Sequence, residues 1–339
     1  MKIKIYKRKI KDKRIVIIGG GTGTSTLLYG LKKYPVKLRA IVTVTDRGGS
    51  SGILRDEFGI LPPGDIRQCI VALAQEDLIL RKLFLYRFDK GSLKGHNFGN
   101  IFMTALERVT GDFDKAVYYA CKILNVKGKV IPVSLEKTNV CALLKNGKIL
   151  TGQNNILKYK KLYKDINKIF VNPKVEANPA AVSSILKADM IVIGPGDFFT
   201  SLLPNLVIDG IKESLIISKA VKIFNCNLMT REWQTEGYSV LDFKNILEEH
   251  LGKKDFFDFI IYNNKIPSKE FLEAYAIKGE KPVAFDNVPE GDSRFIGYDL
   301  ISKRVQKQLK GDLIERTLIR HNPDRIAKIL LTILSTYKN

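Results

Sequence analysis

Three consecutive glycines end an apolar run near the start of the chain, and hydroxyl residues then alternate with a fourth glycine, in the segment IVIIGGGTGTS at residues 15–25. A loop with so little side chain exposes its main-chain N–H groups and lets a phosphate approach the backbone closely. The segment lacks the Gly-Lys-Ser/Thr ending of a P-loop, and Thr24 stands where the dinucleotide fingerprint has its third glycine. It predicts a phosphate-binding turn; the alternative is a tight turn that needs glycine only for helix packing.

Two further loops combine glycine with hydroxyl side chains. They are TDRGGSSGILRDEFG at residues 45–59 and IGPGDFFTSLLPNL at residues 193–206. Each follows a predicted strand, and the carboxyl ends of parallel strands meet at one edge of a sheet. Three such loops together predict a cleft for a ligand that contains a pyrophosphate. Asp46, at the end of the second predicted strand, is a candidate to bind a ribose hydroxyl.

Strands and helices alternate through most of the chain, which places these loops at one sheet edge. KRIVIIGG, LLYGLKKY and LRAIVTVT predict strand, helix and strand, the βαβ unit of a parallel sheet. Further strands are predicted in ADMIVIGPG, AVKIFNCN and FDFIIYNN, and helices in GDIRQCIVALAQ, GHNFGNIFMTALERV, ANPAAVSSILKA and HNPDRIAKILLTILSTY. The pattern predicts an α/β fold, a Rossmann-like three-layer sandwich with a mainly parallel sheet.

A small antiparallel β insertion is predicted near residues 128–153, where the hydrophobic period changes to two. The dipeptide Asn146-Gly147 between alternating runs is a strong hairpin signal. KYKKLYKDINKIF, which follows, reads as a lysine-rich surface segment. We expect a single nucleotide-binding domain over residues 14–339, preceded by a basic N-terminal tail at residues 1–13.

The composition is that of a globular protein with a strongly basic charge. The chain has 339 residues, of which 45% are hydrophobic, a mean hydropathy of -0.05 and a net charge of +21. About +6 of this charge lies in the first thirteen residues, and the remaining +15 reads as thinly spread. Without a recognition helix, a zinc finger or an RNP-like segment, we expect no specific nucleic-acid partner and favour a small anionic ligand.

The sequence also predicts the cellular compartment. No run reaches the roughly 18 apolar residues of a membrane helix, and the N-terminus lacks the apolar block of a signal peptide. The four cysteines lie far apart and form no CxxC pair, which argues against a zinc site and a disulfide framework. We therefore expect a cytoplasmic protein with reduced, inert cysteines and no membrane partner.

Several sequence blocks resemble the gluconeogenesis factor family, the YvcK-like proteins related to the CofD-type 2-phospho-L-lactate transferases. They are IVIIGGGTGTSTLLYGL, IVTVTDRGGSSGILRDEFGILPPGDIRQCIVALA, GHNFGNIFMTALERVTGDF, IGPGDFFTSLLPNL and NLMT. The resemblance runs from about Arg14 to RHNPDRIAKIL, and LPPGDIR and HNFGN are far more specific than any glycine loop. It implies a cytoplasmic protein with a Rossmann-like fold that binds a UDP-sugar, UDP-N-acetylglucosamine in particular, and that is involved in regulation of cell shape and cell-wall precursor supply.

The resemblance also implies which residues bind the ligand. Those that match family positions are Gly20, Gly21, Thr22, Gly23, Thr24, Asp46, Gly49, Ser50, Asp65, Arg67, His96, Asn97, Asn100, Gly194, Pro195, Gly196, Thr200, Ser201, Asn225 and Asn227. Structural alternatives exist for several: Asp65 is a candidate N-cap, Arg67 a surface ion pair and His96 a structural hydrogen-bonding residue. His250 and His321 are expected at the surface.

Two departures from the family pattern bear on ligand choice. Arg47 stands where a second acid usually follows Asp46, which weakens a metal role for that pair and suggests a phosphate contact. TREWQT at residues 230–235 replaces the usual continuation TQxGET, so ligand choice at that edge is expected to differ. Trp233 and the pair Phe198-Phe199 are candidates to stack on a base, with buried packing the alternative for the phenylalanines.

Three functions compete on this sequence. The first is a regulatory protein that binds a nucleotide sugar without an established turnover. The second is a CofD-type transferase that moves a phospholactyl-like group from a nucleotide diphosphate donor, with magnesium held by Asp46 and Asp65. The third is an NAD-dependent oxidoreductase. No catalytic residue is assigned, no cofactor is certain, and protein partners in cell-wall synthesis and a homo-oligomer stay open.

Overall fold

A seven-stranded parallel sheet forms the centre of the computed structural model, which describes residues 7–75, 78–277, 279–302 and 319–337. In chain order, the strands of the protein are β1 (Arg14–Gly19), β2 (Lys37–Val42), β3 (Lys129–Pro132), β4 (Asn139–Leu144), β5 (Ile149–Thr151), β6 (Ile166–Asn172), β7 (Met190–Ile193), β8 (Val221–Asn225), β9 (Phe259–Asn263) and β10 (Phe295–Tyr298). The central sheet has the order β10-β9-β8-β7-β1-β2-β3, and all of its pairings are parallel. The predicted α/β fold is confirmed.

Helices cover both faces of this sheet. They are α1 (Lys7–Ile10), α2 (Gly21–Leu31), α3 (Gly49–Phe58), α4 (Gly64–Leu73), α5 (Leu78–Leu85), α6 (Phe98–Thr110), α7 (Phe113–Ile123), α8 (Gln153–Lys158), α9 (Leu162–Asp165), α10 (Pro179–Leu186), α11 (Leu203–Leu206), α12 (Ile211–Ile217), α13 (Val240–Leu251), α14 (Lys269–Ala276) and α15 (Pro323–Thr336). A π-helical turn at Phe198–Leu202 precedes α11.

The central strands are buried on both faces, which explains their nearly continuous apolar sequence. In β1, the side chains of residues 15–18 are fully buried, and Ile17 pairs with Ala40 on one side and Val192 on the other. Each such aliphatic side chain contributes about 1.5–3 kcal/mol through burial. These strands therefore hold the loops at their carboxyl ends in fixed positions.

Helix α15 packs its predicted apolar stripe against α2. Ile326 and Leu330 are fully buried, and Asn322 caps the helix by accepting the N–H groups of Asp324 and Arg325. A side chain at Gly30 of α2 would collide with the carbonyl group of Pro323. Glycine at position 30 therefore allows the C-terminal helix to lie directly on the helix that starts at the glycine loop.

The antiparallel insertion lies later in the chain than predicted. Its three strands have the order β5-β4-β6, whereas β3, which was assigned to the insertion, pairs in parallel with β2 in the central sheet. The lysine-rich segment expected at the surface contains β6, which pairs with β4 over most of its length. The predicted boundaries 128–153 are wrong because sequence alternation does not reveal which strand is the partner.

The last residues of the predicted N-terminal tail contact the folded domain. Ile10 is fully buried in the core, the N–H of Asp12 donates to the carbonyl of Pro35, and Lys13 forms an ion pair with Asp189. Residues 10–13 therefore pack on the domain, and residues 1–6 lie outside the described residues. In the described part of the chain, we find no helix with the length and apolarity to cross a bilayer.

Candidate functional site

The chain reverses its direction of travel across the sheet between β1 and β7. Strands β1 and β7 are neighbours in the sheet. Strand β2 lies on the other side of β1, and strand β8 lies on the other side of β7. At such a switch point the two loops that leave the carboxyl ends diverge and open a crevice, the usual ligand site of open parallel sheets. The glycine loop after β1 and the Gly-Pro-Gly loop after β7 both lie here.

These two loops touch each other through their backbones. A side chain at Gly23 would collide with the carbonyl group of Pro195, and one at Gly196 would lie 3.5 Å from the carbonyl oxygen of Gly20. Gly21 and Gly194 have φ values of 65° and 79°, in the left-handed region that favours glycine. The glycines therefore allow both the close contact and the turn. Glycine in the first loop is thus also needed for packing, because the loop lies directly against the backbone of Pro195.

Three helices begin at the crevice without a side-chain cap. Helices α2, α3 and α4 are preceded by Gly20, Gly48 and Pro63, and none has a side chain that accepts a first-turn N–H. Elsewhere, helices α6, α7, α10, α13 and α15 are capped by a side chain, whereas α8, α9, α11 and α14 are not. The uncapped ends leave main-chain donors and the positive ends of three helix dipoles at one place, which favours an anion there.

The crevice opens into a cavity of about 500 Å3. Fourteen of the predicted binding residues line it: Gly20, Gly21, Thr22, Gly23, Asp46, Gly49, Ser50, Asp65, Arg67, Asn100, Pro195, Gly196, Ser201 and Asn227. All three predicted glycine loops thus meet at one cavity, as the sequence analysis expected.

Six predicted residues lie behind the lining: Thr24, His96, Asn97, Gly194, Thr200 and Asn225. Asn97 caps α6 by accepting the N–H of Asn100, and its side chain donates to the carbonyl of Tyr86. His96 lies with Nδ1 3.3 Å from the hydroxyl of Ser50. These two residues therefore connect the start of α6, which carries Asn100, to Ser50 of α3, and this matches the structural alternative for His96.

Two buried acids, Asp46 and Asp65, lie next to the glycine loop. Asp46 accepts the N–H of Gly48 at 2.9 Å, and a side chain at Gly64 would lie 2.6 Å from its carboxylate. A side chain at Gly20 would collide with the carboxyl group of Asp65. Burial raises the pKa of both acids, and burial together with the charge of Asp46 raises the pKa of Asp65 to about 8. The expected N-cap role of Asp65 is wrong, because α4 is preceded by Pro63 and Asp65 lies in its first turn.

Arg67 supplies positive charge behind this acidic pair. Its guanidinium is buried, and it donates to Asn100 Oδ1 at 2.7 Å and to the carbonyl of Phe84 at 3.1 Å. The side chain of Asn100 in turn donates to the hydroxyl of Ser51 at 3.2 Å. The structural alternative of a surface ion pair for Arg67 is therefore wrong, because Arg67 belongs to a buried hydrogen-bond network that joins α3, α4 and α6.

Several buried polar atoms around the crevice have no hydrogen-bond partner among the residues that the structure describes. They are Thr24 Oγ1, Asp65 Oδ2, Thr200 Oγ1, Asn205 Oδ1, Asn227 Oδ1, Gln234 Oε1 and both side-chain polar atoms of Asn225. Buried groups of this kind are costly unless water or a ligand bonds to them. Their concentration at the ends of β1, β7 and β8 marks the crevice as a polar site within an otherwise apolar core.

Sequence reasoning missed several residues that line the cavity. Gln153, Arg231 and Gln234 come from the insertion and from the loop after β8. His321, expected at the surface, is buried at the cavity, and burial lowers its pKa to about 4 while its Nε2 lies 3.1 Å from the carbonyl oxygen of Cys226. Its only sequence signal was its place beside the Asn-Pro helix start.

Other expectations for side chains near the site differ from the structure. His250 is largely buried, with Nδ1 2.8 Å from the carbonyl oxygen of Ile246 and Nε2 accepting the N–H of Ile169, so its expected surface role is wrong. Arg47 forms an ion pair with Asp56 and lies outside the cavity lining. Phe198 and Phe199 are buried, which confirms packing as their role.

The acidic pair is the place where a magnesium ion would bind. Among the described residues, no three His, Cys, Asp or Glu side chains lie together as metal ligands. Mg²⁺ is usually held by one or two carboxylates together with phosphate oxygens and waters, so Asp46 and Asp65 fit such an arrangement.

Comparison with known proteins places this chain among sequence and structural relatives. A family model described as 2-phospho-L-lactate transferase CofD matches residues 15–305. A protein of Nostoc sp. is 42% identical over 327 residues, which are 96% of this chain and 70% of that protein. The gluconeogenesis factor of Bacillus subtilis is 38% identical over 323 residues, 95% of this chain and 98% of that protein. A crystal structure of a UPF0052 family member from Bacillus halodurans has a TM-score of 0.85 and 36% identity, over 95% of this chain and 99% of the other.

Proposed function

The chain belongs to the family described as 2-phospho-L-lactate transferase CofD and, within it, to the gluconeogenesis factors, and from this premise we propose that it is a nucleotide-sugar-binding protein whose ligand is UDP-N-acetylglucosamine. We further propose that it acts in the cytoplasm as a regulator of cell-wall precursor supply and cell shape.

One observation carries the proposal: the uncapped starts of α2, α3 and α4 meet two touching glycine loops in one cavity. A diphosphate is the ligand that such a surface suits best, since its oxygens accept from several main-chain N–H groups at once. The cavity volume of about 500 Å3 falls within the range of small-molecule sites and leaves room beyond the phosphates for a nucleoside and a sugar.

The surroundings of Asp46 disfavour the NAD-dependent alternative. A dinucleotide enzyme needs an acid at the end of the second strand whose carboxylate is free to bind the ribose diol. Asp46 instead lies beyond the end of β2, accepts the N–H of Gly48 and is packed against Gly64. These contacts hold its carboxylate beside Asp65.

A transferase activity of the CofD type is the second candidate, and the buried pair Asp46 and Asp65 favours it. Two carboxyl groups next to a diphosphate site would hold Mg²⁺, which supplies charge neutralisation on the bridging and leaving oxygens when bound. The residues themselves would orient the donor through the glycine loops and exclude water through the buried network of Arg67 and Asn100.

Ligand binding can be tested by thermal unfolding and calorimetric titration against UDP-N-acetylglucosamine, UDP-glucose, UDP, GDP and NAD, each with and without magnesium. A ligand that binds only the folded protein adds RT ln(1 + [L]/Kd) to the free energy of unfolding and therefore raises the unfolding temperature. We expect the largest shift with UDP-N-acetylglucosamine. A shift with NAD and none with the UDP-sugars would overturn the proposal, and a requirement for magnesium together with release of a nucleoside monophosphate would favour the transferase.

A further inference from the structure

One stretch of the antiparallel insertion is strongly basic. Residues 145–168 contain seven lysines and a single acid, a net charge of +6, while the other 315 residues carry +15. The expectation of a thinly spread charge is wrong for this segment. The seven lysines, here called the lysine face, are all exposed: Lys145, Lys148, Lys158, Lys160, Lys161, Lys164 and Lys168.

The lysine face lacks counter-charges within the described protein. None of its lysines forms an ion pair with a described residue. The one acid of the segment, Asp165, accepts the hydroxyl of Tyr159 at 3.0 Å. Like charges at close spacing repel, so this arrangement costs stability until another molecule supplies negative charge.

The lysines are displayed on a fixed frame. The Asn146-Gly147 hairpin is tied to α9 because the Lys145 N–H donates to the Asp165 carbonyl at 2.8 Å and its ammonium donates to the Lys164 carbonyl at 2.6 Å. Beneath them, the β4 side chains of Val140, Ala142 and Leu144 are buried. A charge pattern on such a frame loses less entropy on binding than one on a flexible tail.

We propose that the lysine face is a docking surface for an acidic segment of a partner protein. This inference does not depend on the identity of the ligand in the cavity. The face adjoins that cavity, because Gln153 and Leu157 of α8 line it. A partner docked here would therefore lie beside the nucleotide site.

The side chains around the lysine face favour a protein partner over a nucleic acid. Residues 145–168 contain no arginine, the residue that binds phosphates and guanine bidentately. The rings of Trp233 and Tyr163 are covered by the ammonium groups of Lys160 and Lys164, at 5.2 and 5.3 Å from the ring centroids, so they are not open for base stacking.

The helices of the insertion also argue against a membrane surface. Helix α8 has 6 residues and α9 has 4, too short for an amphipathic helix that lies in the lipid interface. An acidic segment of a soluble partner would bind the lysine face through ion pairs and needs no such helix.

The test uses the full-length protein and a fluorescent polyglutamate peptide at low and physiological salt. A reversed variant carries Lys148→Glu, Lys158→Glu, Lys161→Glu and Lys164→Glu. A control variant makes the same change in charge at four other exposed lysines, Lys187→Glu, Lys219→Glu, Lys253→Glu and Lys265→Glu. We expect anisotropy to show at least a roughly tenfold weaker affinity for the reversed variant and about twofold or less for the control.

An equal loss of peptide affinity in the two variants would overturn the proposal, because it would show that the peptide is attracted only by the net charge of the protein. Tighter binding of a short DNA duplex or of phosphatidylglycerol vesicles than of the peptide, lost in the reversed variant only, would assign the face to a nucleic acid or a membrane and also overturn it. Unfolding temperatures of both variants check that the fold is intact. Binding of UDP-N-acetylglucosamine to the reversed variant tests the proposed function separately.

Discussion

Arg231 forms an ion pair with Asp197, so that the loop after β8 is tied to the loop after β7 where both line the cavity. Asn227 makes a second tie between the same loops, because its side chain donates to the carbonyl of Gly196 at 3.0 Å. The ion pair with Arg231 neutralises the charge of Asp197 beside the proposed phosphate site.

Replacing Asp197 by Asn is predicted to strengthen binding of a UDP-sugar by about threefold, because it removes a negative charge beside the diphosphate. Arg231→Gln is predicted to weaken binding. Stability should change by less than about 1 kcal/mol in both, since the pair is partly exposed. Isothermal titration measures the affinities, and equal effects of the two substitutions would contradict the electrostatic explanation.

Gly196→Ala is predicted to reduce ligand affinity at least roughly tenfold while leaving the free energy of unfolding within about 0.5 kcal/mol. The added methyl group would meet the Gly20 carbonyl oxygen at an ordinary contact distance of 3.5 Å, yet it would lie where a phosphate approaches. Urea unfolding and titration with UDP-N-acetylglucosamine measure the two quantities.

Gly23→Ala is the matched comparison, because its methyl group would collide with the backbone at Pro195 and should destabilise the fold by about 1–3 kcal/mol. Gly21 is a poor position for this test, since its φ of 65° would strain any substituent. Unchanged affinity in Gly196→Ala would show that the loops only pack against each other.

Asp65→Asn is predicted to make the protein more stable at neutral and alkaline pH. The folded protein holds the Asp65 proton up to about pH 8, whereas the carboxyl group has its ordinary pKa of 3.8 once unfolding exposes it to water. Between these values the unfolded chain binds fewer protons, so stability of the wild type falls as pH rises, by at most about 1.4 kcal/mol per pH unit. Urea titrations from pH 4 to 9 should show a stability advantage of Asp65→Asn that grows to about pH 8 and then levels off; a constant difference would contradict the assignment.

His321→Gln is predicted to reduce sensitivity to acid. Burial lowers the pKa of His321 from 6.5 to about 4, so the folded state holds the imidazole neutral. Stability from this residue is complete above pH 6.5 and is lost as pH falls toward 4, where the unfolded chain takes up a proton first. Gln can keep the hydrogen bond to the Cys226 carbonyl without this charge. Unfolding temperatures at pH 7 and pH 4.5 should differ less in His321→Gln than in the wild type.

Asn225→Leu is predicted to separate stability from binding. Asn225 is fully buried at the end of β8, and neither polar atom of its side chain has a hydrogen-bond partner in the described part of the chain. Replacement by an apolar residue of similar size should leave stability unchanged or raise it by about 1 kcal/mol, while ligand affinity falls. A loss of more than about 2 kcal/mol in urea unfolding would show that Asn225 has a structural role instead.

Local sequence patterns predicted the parts of the site that depend on neighbouring residues. The apolar run of β1, the glycines that follow it and the helix predicted in ANPAAVSSILKA are each encoded within a few positions, and the structure places them as expected. The convergence of three glycine loops followed from the rule that parallel strands end at one sheet edge.

Long-range pairing explains what the sequence could not predict. Strand β3 joins β2 across many intervening residues, and nothing in its own alternation distinguishes that partner from β4. Gln234 reaches the cavity because its side chain donates to the carbonyl of Ile156 in the insertion, and His321 because it packs beside Cys226. Such contacts arise only when distant segments meet.

The uncapped helix starts affect which substitutions can change the ligand selectivity of this protein. Main-chain amides form the proposed anion site, so replacement of a side chain leaves these donors in place, and alanine scanning of the polar lining would understate their contribution. If the proposed function holds, substitutions at surrounding positions such as Arg231 and Gln234 change ligand selectivity while the main-chain contacts to a pyrophosphate are kept.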